Sequence, residues 1–177
     1  MTTMTIPQPD VEQYRVRDQF NTLTCAGQLI GEASTETPES SRWTEIKIYK
    51  TVGGSYIVER VGVSLVYHDA DAPCASGVSR TVADVLDDDR ELEPCERCRP
   101  SDIYDTKNKV SLSHRIKVET DRHSASATDV RGVVPALTLR RDNGSEYVSN
   151  VAQAALTEAI HNDPELASAL AESTVIP

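Results

Sequence analysis

Hydrophobic and polar residues between positions 42 and 67 give the strongest β-strand signal of the chain, in two runs separated by Gly53-Gly54. β-branched and aromatic residues dominate both runs, which is typical of strands that bury one face. Two glycines between such runs indicate a tight turn, because the turns that suit hairpins need positive φ angles. A two-residue turn here would place Tyr49 opposite Val58. The stretch therefore predicts an antiparallel hairpin.

Three other stretches have the pattern of strands. Apolar residues recur from Phe20 to Leu29, and a clean alternation of apolar and polar residues runs from Val110 to Val118. Residues 130–140 are apolar enough for a further strand, which Pro135 would confine to an edge or a bulge. The polar stretches between these strands predict loops at 32–41 and 119–129.

Helical periodicity is found towards the C-terminal end of the sequence. Ser145 can cap a helix whose apolar stripe runs from Val148 to Ile160. Asp163 and Pro164 then indicate a second helix, with Asp163 as its N-cap and Pro164 at its first position. Helices are therefore predicted to follow the sheet.

His68, Cys74, Cys95 and Cys98 have the spacing of a tetrahedral metal site. The two residues between Cys95 and Cys98 turn the backbone so that both thiolates face one point. His68 directly follows the predicted hairpin, which gives it a rigid position, and Cys74 would complete the set. Four protein ligands leave no coordination position open, so the spacing predicts a structural zinc ion.

Other roles for these residues are compatible with the same spacing. His68 could be a surface residue, Cys74 a buried apolar residue, and the Cys-x-x-Cys motif a redox pair. The Pro-Cys-x-x-Cys motif with an upstream histidine also resembles the zinc deaminases, whose mechanism needs a glutamate two residues after the histidine. That position is Ala70 here. A deaminase or hydrolase is therefore the weaker alternative.

The middle of the chain also resembles small zinc-binding modules of uncharacterised actinobacterial or actinophage proteins. In those modules a hairpin ends in Tyr-His, a cysteine follows, and a short helix leads to Cys-x-x-Cys-x-Pro. The matching elements here are Tyr67-His68, Cys74, residues 81–86 and residues 95–100. The resemblance covers only residues 42–100, implies zinc and fits a phage-encoded protein, without implying an activity.

Composition narrows the classes of partner. The net charge of −10 argues against a general polyanion binder, because affinity for phosphate backbones rests on Lys and Arg. Local basic clusters at residues 97–99 and 140–141 keep a nucleic-acid-binding zinc protein as an alternative. The sequence has no apolar run long enough to cross a membrane and no signal-peptide pattern, so we expect a cytoplasmic protein.

These patterns predict an α+β fold with a mostly antiparallel sheet, an inserted zinc-binding loop and C-terminal helices. We expect residues 1–18 to be a flexible arm, or to contain a short helix, because they show no clear period. Residues 19–177 are expected to form a single domain with the zinc module at 67–100. With a closed metal site and no assembled catalytic set, we expect a non-enzymatic regulatory or interaction protein that binds a protein partner.

Overall fold

The computed structural model describes residues 11–19, 21–69, 92–98, 116–119 and 121–173. The chain divides into two compact units. The first unit comprises Met1–Ser34, Glu45–Val61 and His123–Pro177, and the second comprises Thr35–Thr44 and Gly62–Arg122. The predictions for Cys74, for a helical turn at 81–86 and for the strand residues 110–115 concern residues outside the described ranges.

The described strands, in chain order, are β1 (Glu12–Asp18), β2 (Asn21–Ser34), β3 (Arg42–Thr51), β4 (Tyr56–Ser64), β5 (Val66–Asp69), β6 (Glu93–Pro94), β7 (Ile116–Val118), β8 (Arg122–Thr128), β9 (Thr138–Arg140) and β10 (Glu146–Val148). A 3₁₀ turn (Val130–Gly132) precedes the helices α1 (Val133–Leu137), α2 (Asn150–Asn162) and α3 (Pro164–Ser173). One sheet has the order β1-β2-β3-β4-β8, with β1–β2 and β2–β3 antiparallel. The predicted α+β fold with a mostly antiparallel sheet is confirmed.

Residues 12–18 form an edge strand of this sheet, so the expectation of a flexible arm or a short helix was wrong there. Strand β1 pairs with β2 along its whole length, from Glu12 with Gly27 to Asp18 with Asn21. Val16 is fully buried. Pairing with β2 orders these residues as a strand. The mixture of charged and apolar residues in β1 does not by itself predict this pairing.

The sheet curls until its two edge strands, β1 and β8, meet at one end. The Gln19 N–H donates to the His123 carbonyl at 3.1 Å, and the Ala125 N–H donates to the Asp18 carboxylate at 3.4 Å. Strand β8 replaces the loop predicted for residues 119–129. Its serines and alanines differ too little in hydrophobicity to give a strand signal, and its hydrogen bonds to β4 supply the order.

The predicted hairpin is present as the neighbouring strands β3 and β4, but its turn is one residue longer than expected. The Gly54 N–H donates to the Thr51 carbonyl at 3.0 Å, and Gly54 has a φ angle of 80°. A three-residue loop that ends in such a glycine moves the register by one residue. Tyr49 therefore packs with Ile57 on one face, whereas Val58 packs on the other, and the predicted Tyr49–Val58 pair was wrong.

The main core of the first unit lies between one face of the sheet and the helices. It contains Ile30, Ile46, Ile48, Tyr56, Val58, Val133, Leu137, Val151, Ala152, Ala155, Ala159 and Leu166. Helix α2 approaches β2 closely at Gly31, where a Cβ atom would meet the Ala155 carbonyl oxygen and lie 2.8 Å from the Ala159 Cβ. Small residues at these positions allow the helix and the strand to pack this tightly.

Residues 130–137 form the 3₁₀ turn and helix α1, where a strand was predicted. The Asp129 carboxylate caps the turn by accepting hydrogen bonds from the N–H groups of Arg131 and Gly132, each at 3.0 Å. Pro135 is tolerated because it lies in the first turn of α1, where a missing N–H leaves no helical hydrogen bond unmade. Capping outweighs the strand propensity of the valines.

The two longer helices differ in how well their starts were predicted. Helix α2 is capped by Ser149, whose side chain accepts from a backbone N–H of the first turn, rather than by Ser145. Helix α3 begins at Pro164, and the Asp163 carboxylate accepts from the Glu165 N–H at 3.1 Å. The prediction for α3 is confirmed.

Candidate metal centre

The second unit brings three short strands together around His68. Strand β5 pairs in parallel with β6 and antiparallel with β7. The Cys95 N–H donates to the Tyr67 carbonyl at 3.0 Å, which fixes the start of the Cys-x-x-Cys turn beside β5. Successive side chains on a strand point to opposite faces, so His68 lies on the other side of β5 from the buried Tyr67. The backbone thus holds His68 next to the two cysteines.

His68, Cys95 and Cys98 offer ligand atoms that all lie within 4.8 Å of one another. His68 Nδ1 is 3.7 Å from Cys98 Sγ. Bond lengths in tetrahedral zinc sites place neighbouring nitrogen and sulfur ligands roughly 3.5–3.8 Å apart. His68 and Cys95 are buried, with 6% and 8% of their surface exposed. These three residues are close enough to hold a metal ion.

The structure therefore assembles three of the four predicted ligands. Cys74 lies outside the described residues, and its role as the fourth ligand stays a prediction. Cys25, the remaining cysteine, is half-buried on β2 in the first unit, beside the cluster of Val16, Tyr49 and Ile57. Cys25 lies within the stretch from Phe20 to Leu29 for which the sequence predicts a strand, in agreement with its position on β2.

Glu119 is a part of the site that the sequence did not reveal. Its Oε1 atom is 2.7 Å from His68 Nε2. The register of β5 and β7 pairs His68 with Lys117, so Glu119, two residues further along the same face, is the diagonal neighbour of His68. This register brings Glu119 next to His68. No pattern in the sequence indicated it, because Glu119 has no recognisable spacing from His68 or the cysteines.

Two further side chains hold the Glu119 carboxylate. Arg42 donates to it in a bidentate manner, from Nη2 to Oε1 at 2.6 Å and from Nε to Oε2 at 3.0 Å. The Ser64 hydroxyl donates to Oε2 at 2.7 Å. Hydrogen bonds from Arg42, and to a lesser degree from Ser64 and His68, lower the pKa of Glu119 to about 2, although burial alone would raise it. Glu119 is therefore ionised at neutral pH.

The ionised carboxylate determines which nitrogen of His68 carries hydrogen. A carboxylate can only accept hydrogen bonds, so His68 Nε2 must donate its N–H to Glu119. In the neutral ring this leaves the lone pair on Nδ1, the atom that faces Cys98. Metal-binding histidines usually donate their second ring nitrogen to a carboxylate or a carbonyl in this way.

A cleft of about 530 Å³ adjoins the centre. His68 and Cys95 line it together with charged residues of both signs: Arg42, Glu93, Glu96 and Arg97. The cleft is predominantly polar, unlike the apolar cavities that bind most small cofactors. It gives the candidate metal centre a solvent-facing surface with mixed charge.

No helix in the described part of the chain combines the length and the apolar character needed to span a membrane. Comparison with protein-family models, with curated proteins and with solved structures gave no match to this chain.

Proposed function

We propose that the chain is a non-enzymatic interaction protein whose second unit is stabilised by a structural zinc ion. The observation that carries this proposal is the group of His68, Cys95 and Cys98, in which His68 and Cys95 are buried and Cys98 is half-buried. Two thiolates and an imidazole form a ligand set that suits zinc and is poor for magnesium or calcium. The ion would join β5 to the Cys-x-x-Cys turn.

A structural role is supported by the small size of the strands around the site. Within the described residues, strands β5, β6 and β7 contain 4, 2 and 3 residues, respectively. Strands this short provide few hydrogen bonds and little apolar area, and small units of this kind are commonly held together by a metal. Zinc bound only to the folded state would add its binding free energy to the stability of the second unit.

Metal analysis with a matched pair of cysteine variants tests the zinc site. We expect one equivalent of zinc in the purified protein, loss of that zinc in C98S, and retention in C25S, because Cys25 lies in the first unit. Addition of a chelator should lower the thermal midpoint of the wild type and leave that of C98S unchanged. Wild-type protein that has intact thiols and contains no zinc would disprove the site.

The proposed partner is a protein rather than a nucleic acid. A net charge of −10 opposes a phosphate backbone, and the cleft at the centre mixes both signs of charge, as protein-binding surfaces do. Capture with the zinc-loaded wild type should retain a partner that zinc-free C98S does not retain. A complex with nucleic acid that weakens steeply with salt would instead favour the nucleic-acid-binding alternative.

A metalloenzyme is the second candidate, and the cleft that reaches His68 and Cys95 favours it. Catalytic zinc sites keep three protein ligands and an open position, whereas structural sites use four. Cobalt substitution distinguishes them, because the intensity of the thiolate charge-transfer band reports the number of bound cysteines. Three bound cysteines, falling to two in C74S, would support the structural site; two in both proteins would support the enzyme.

A further inference from the structure

We propose that Glu119 is a positioning residue, which fixes His68 so that Nδ1 binds the metal. This inference rests on the zinc site proposed above and extends it to residues that the cysteine spacing does not identify. Glu119 makes no contact with the ion in this scheme. It acts through the His68 ring, by accepting the Nε2 hydrogen at 2.7 Å.

The carboxylate is suited to this role because it is itself held in place. Arg42 occupies both oxygens and Ser64 donates to Oε2, so rotation of the carboxylate would break at least two hydrogen bonds. The Glu119 N–H also donates to the Val66 carbonyl at 2.9 Å, which anchors the backbone to β5. The acceptor that orients His68 is therefore fixed at both its backbone and its side chain.

A fixed ring has two consequences for metal binding. The imidazole loses no further rotational freedom when the ion arrives, so less of the binding free energy is spent on ordering the ligand. The hydrogen bond to a carboxylate also makes the opposite nitrogen a better electron-pair donor. Loss of such a partner typically weakens metal binding by roughly 10–100-fold.

The same hydrogen bonds could serve only to stabilise the fold, as an ion pair between Arg42 and Glu119. The two roles predict different results for zinc affinity. An ion pair that is merely structural changes the stability of the metal-free protein and leaves the intrinsic zinc affinity of the folded state unchanged. A positioning residue changes that affinity.

The test is the zinc affinity of E119M, measured by competition with a chromophoric chelator. Methionine matches the length of glutamate and cannot accept the Nε2 hydrogen, so we expect binding roughly 10–100-fold weaker than in the wild type. The control is E96M, which removes the same charge directly after Cys95, and we expect its affinity to stay within about threefold. E119Q keeps an acceptor oxygen and should recover part of the loss.

The outcomes separate this inference from the proposed zinc site. If the wild-type protein binds no zinc, the proposed zinc site is disproved. Wild type that binds zinc, with E119M no weaker than E96M, overturns the role of Glu119 and leaves the site intact. Nitrogen NMR of the His68 ring in the zinc-loaded wild type decides the matter even if E119M fails to fold: metal on Nδ1 and hydrogen on Nε2 support the proposal, and metal on Nε2 overturns it.

Discussion

Lys50 lies between two carboxylates that are equally close but differ in burial, and this arrangement predicts unequal effects of two similar mutations. Its ammonium nitrogen is 2.8 Å from an oxygen of Asp163 and 2.8 Å from an oxygen of Glu165. The Asp163 side chain is 5% exposed, whereas that of Glu165 is 59% exposed. Burial rather than distance should therefore decide how much each ion pair stabilises the first unit.

The cost of D163N can be worked out from its contacts. Asp163 accepts from Lys50 and from the hydroxyl of the fully buried Tyr56 at 2.6 Å. Hydrogen bonds to a charged group contribute about 1.5–3 kcal/mol each, and an amide can replace part of them, so we expect a loss of about 2–4 kcal/mol. E165Q removes an exposed pair and should cost less than about 1 kcal/mol.

Urea unfolding at neutral pH, followed by far-ultraviolet circular dichroism with zinc in constant excess, measures both losses in one protein background. The control is the double variant. The difference between its loss of unfolding free energy and the sum of the two single losses measures the coupling through the shared Lys50. Equal losses for D163N and E165Q would show that burial does not determine the strength of these ion pairs, and would refute the reasoning.

Three further measurements test other contacts in the first unit, one of them with Gly62 of the second unit as its control. Burial alone would raise the pKa of Asp163, but hydrogen bonds from its partners lower it below the ordinary value of 3.8. The ionised carboxylate therefore stabilises the folded protein fully above pH 3.8, and this stabilisation is lost as the pH falls below that value. The difference in unfolding free energy between the wild type and D163N should shrink over the same pH range. G31A should cost about 1–3 kcal/mol in urea unfolding because its Cβ would meet helix α2, whereas G62A, with its nearest contact at 3.7 Å, should change stability by less than about 1 kcal/mol. Y49F removes the hydroxyl that donates to the buried Glu59 carboxylate at 2.9 Å and should cost about 1.5–3 kcal/mol; a loss below about 0.5 kcal/mol would mean that this carboxylate does not depend on Tyr49.

Features that depend on neighbouring residues were predictable from the sequence. The Cys95-x-x-Cys98 turn and the start of α3 at Pro164 are local, because two or three adjacent residues determine the backbone conformation. The hairpin of β3 and β4 was also predictable. Its register differs by one residue from the predicted one, because only Gly54 of the two turn glycines has a positive φ angle. An error of one residue in a turn is enough to exchange the two faces of a strand.

Features that depend on distant partners were not predictable. Strands β1 and β8 have weak patterns of their own and are ordered by their neighbours in the sheet. The pairing of β5 with β7 brings Glu119 to the candidate metal centre, and no periodicity in the sequence predicts that pairing. Long-range pairing of this kind decides positions that local propensity leaves open.

Because β1 and β8 meet only when the sheet is complete, the structure has a consequence for the order of folding steps during synthesis. Gln19 and His123 are joined by a hydrogen bond, although roughly a hundred residues separate them in the sequence. A ribosome that adds about 5–20 residues per second therefore synthesises His123 about 5–20 s after Gln19. All of residues 62–122 emerge in that interval. We expect the second unit to bind the proposed zinc ion before the curled sheet closes. Ribosome-arrested chains in which residue 122 has just left the exit tunnel should already bind zinc, and arrested chains that bind none would rule out this order.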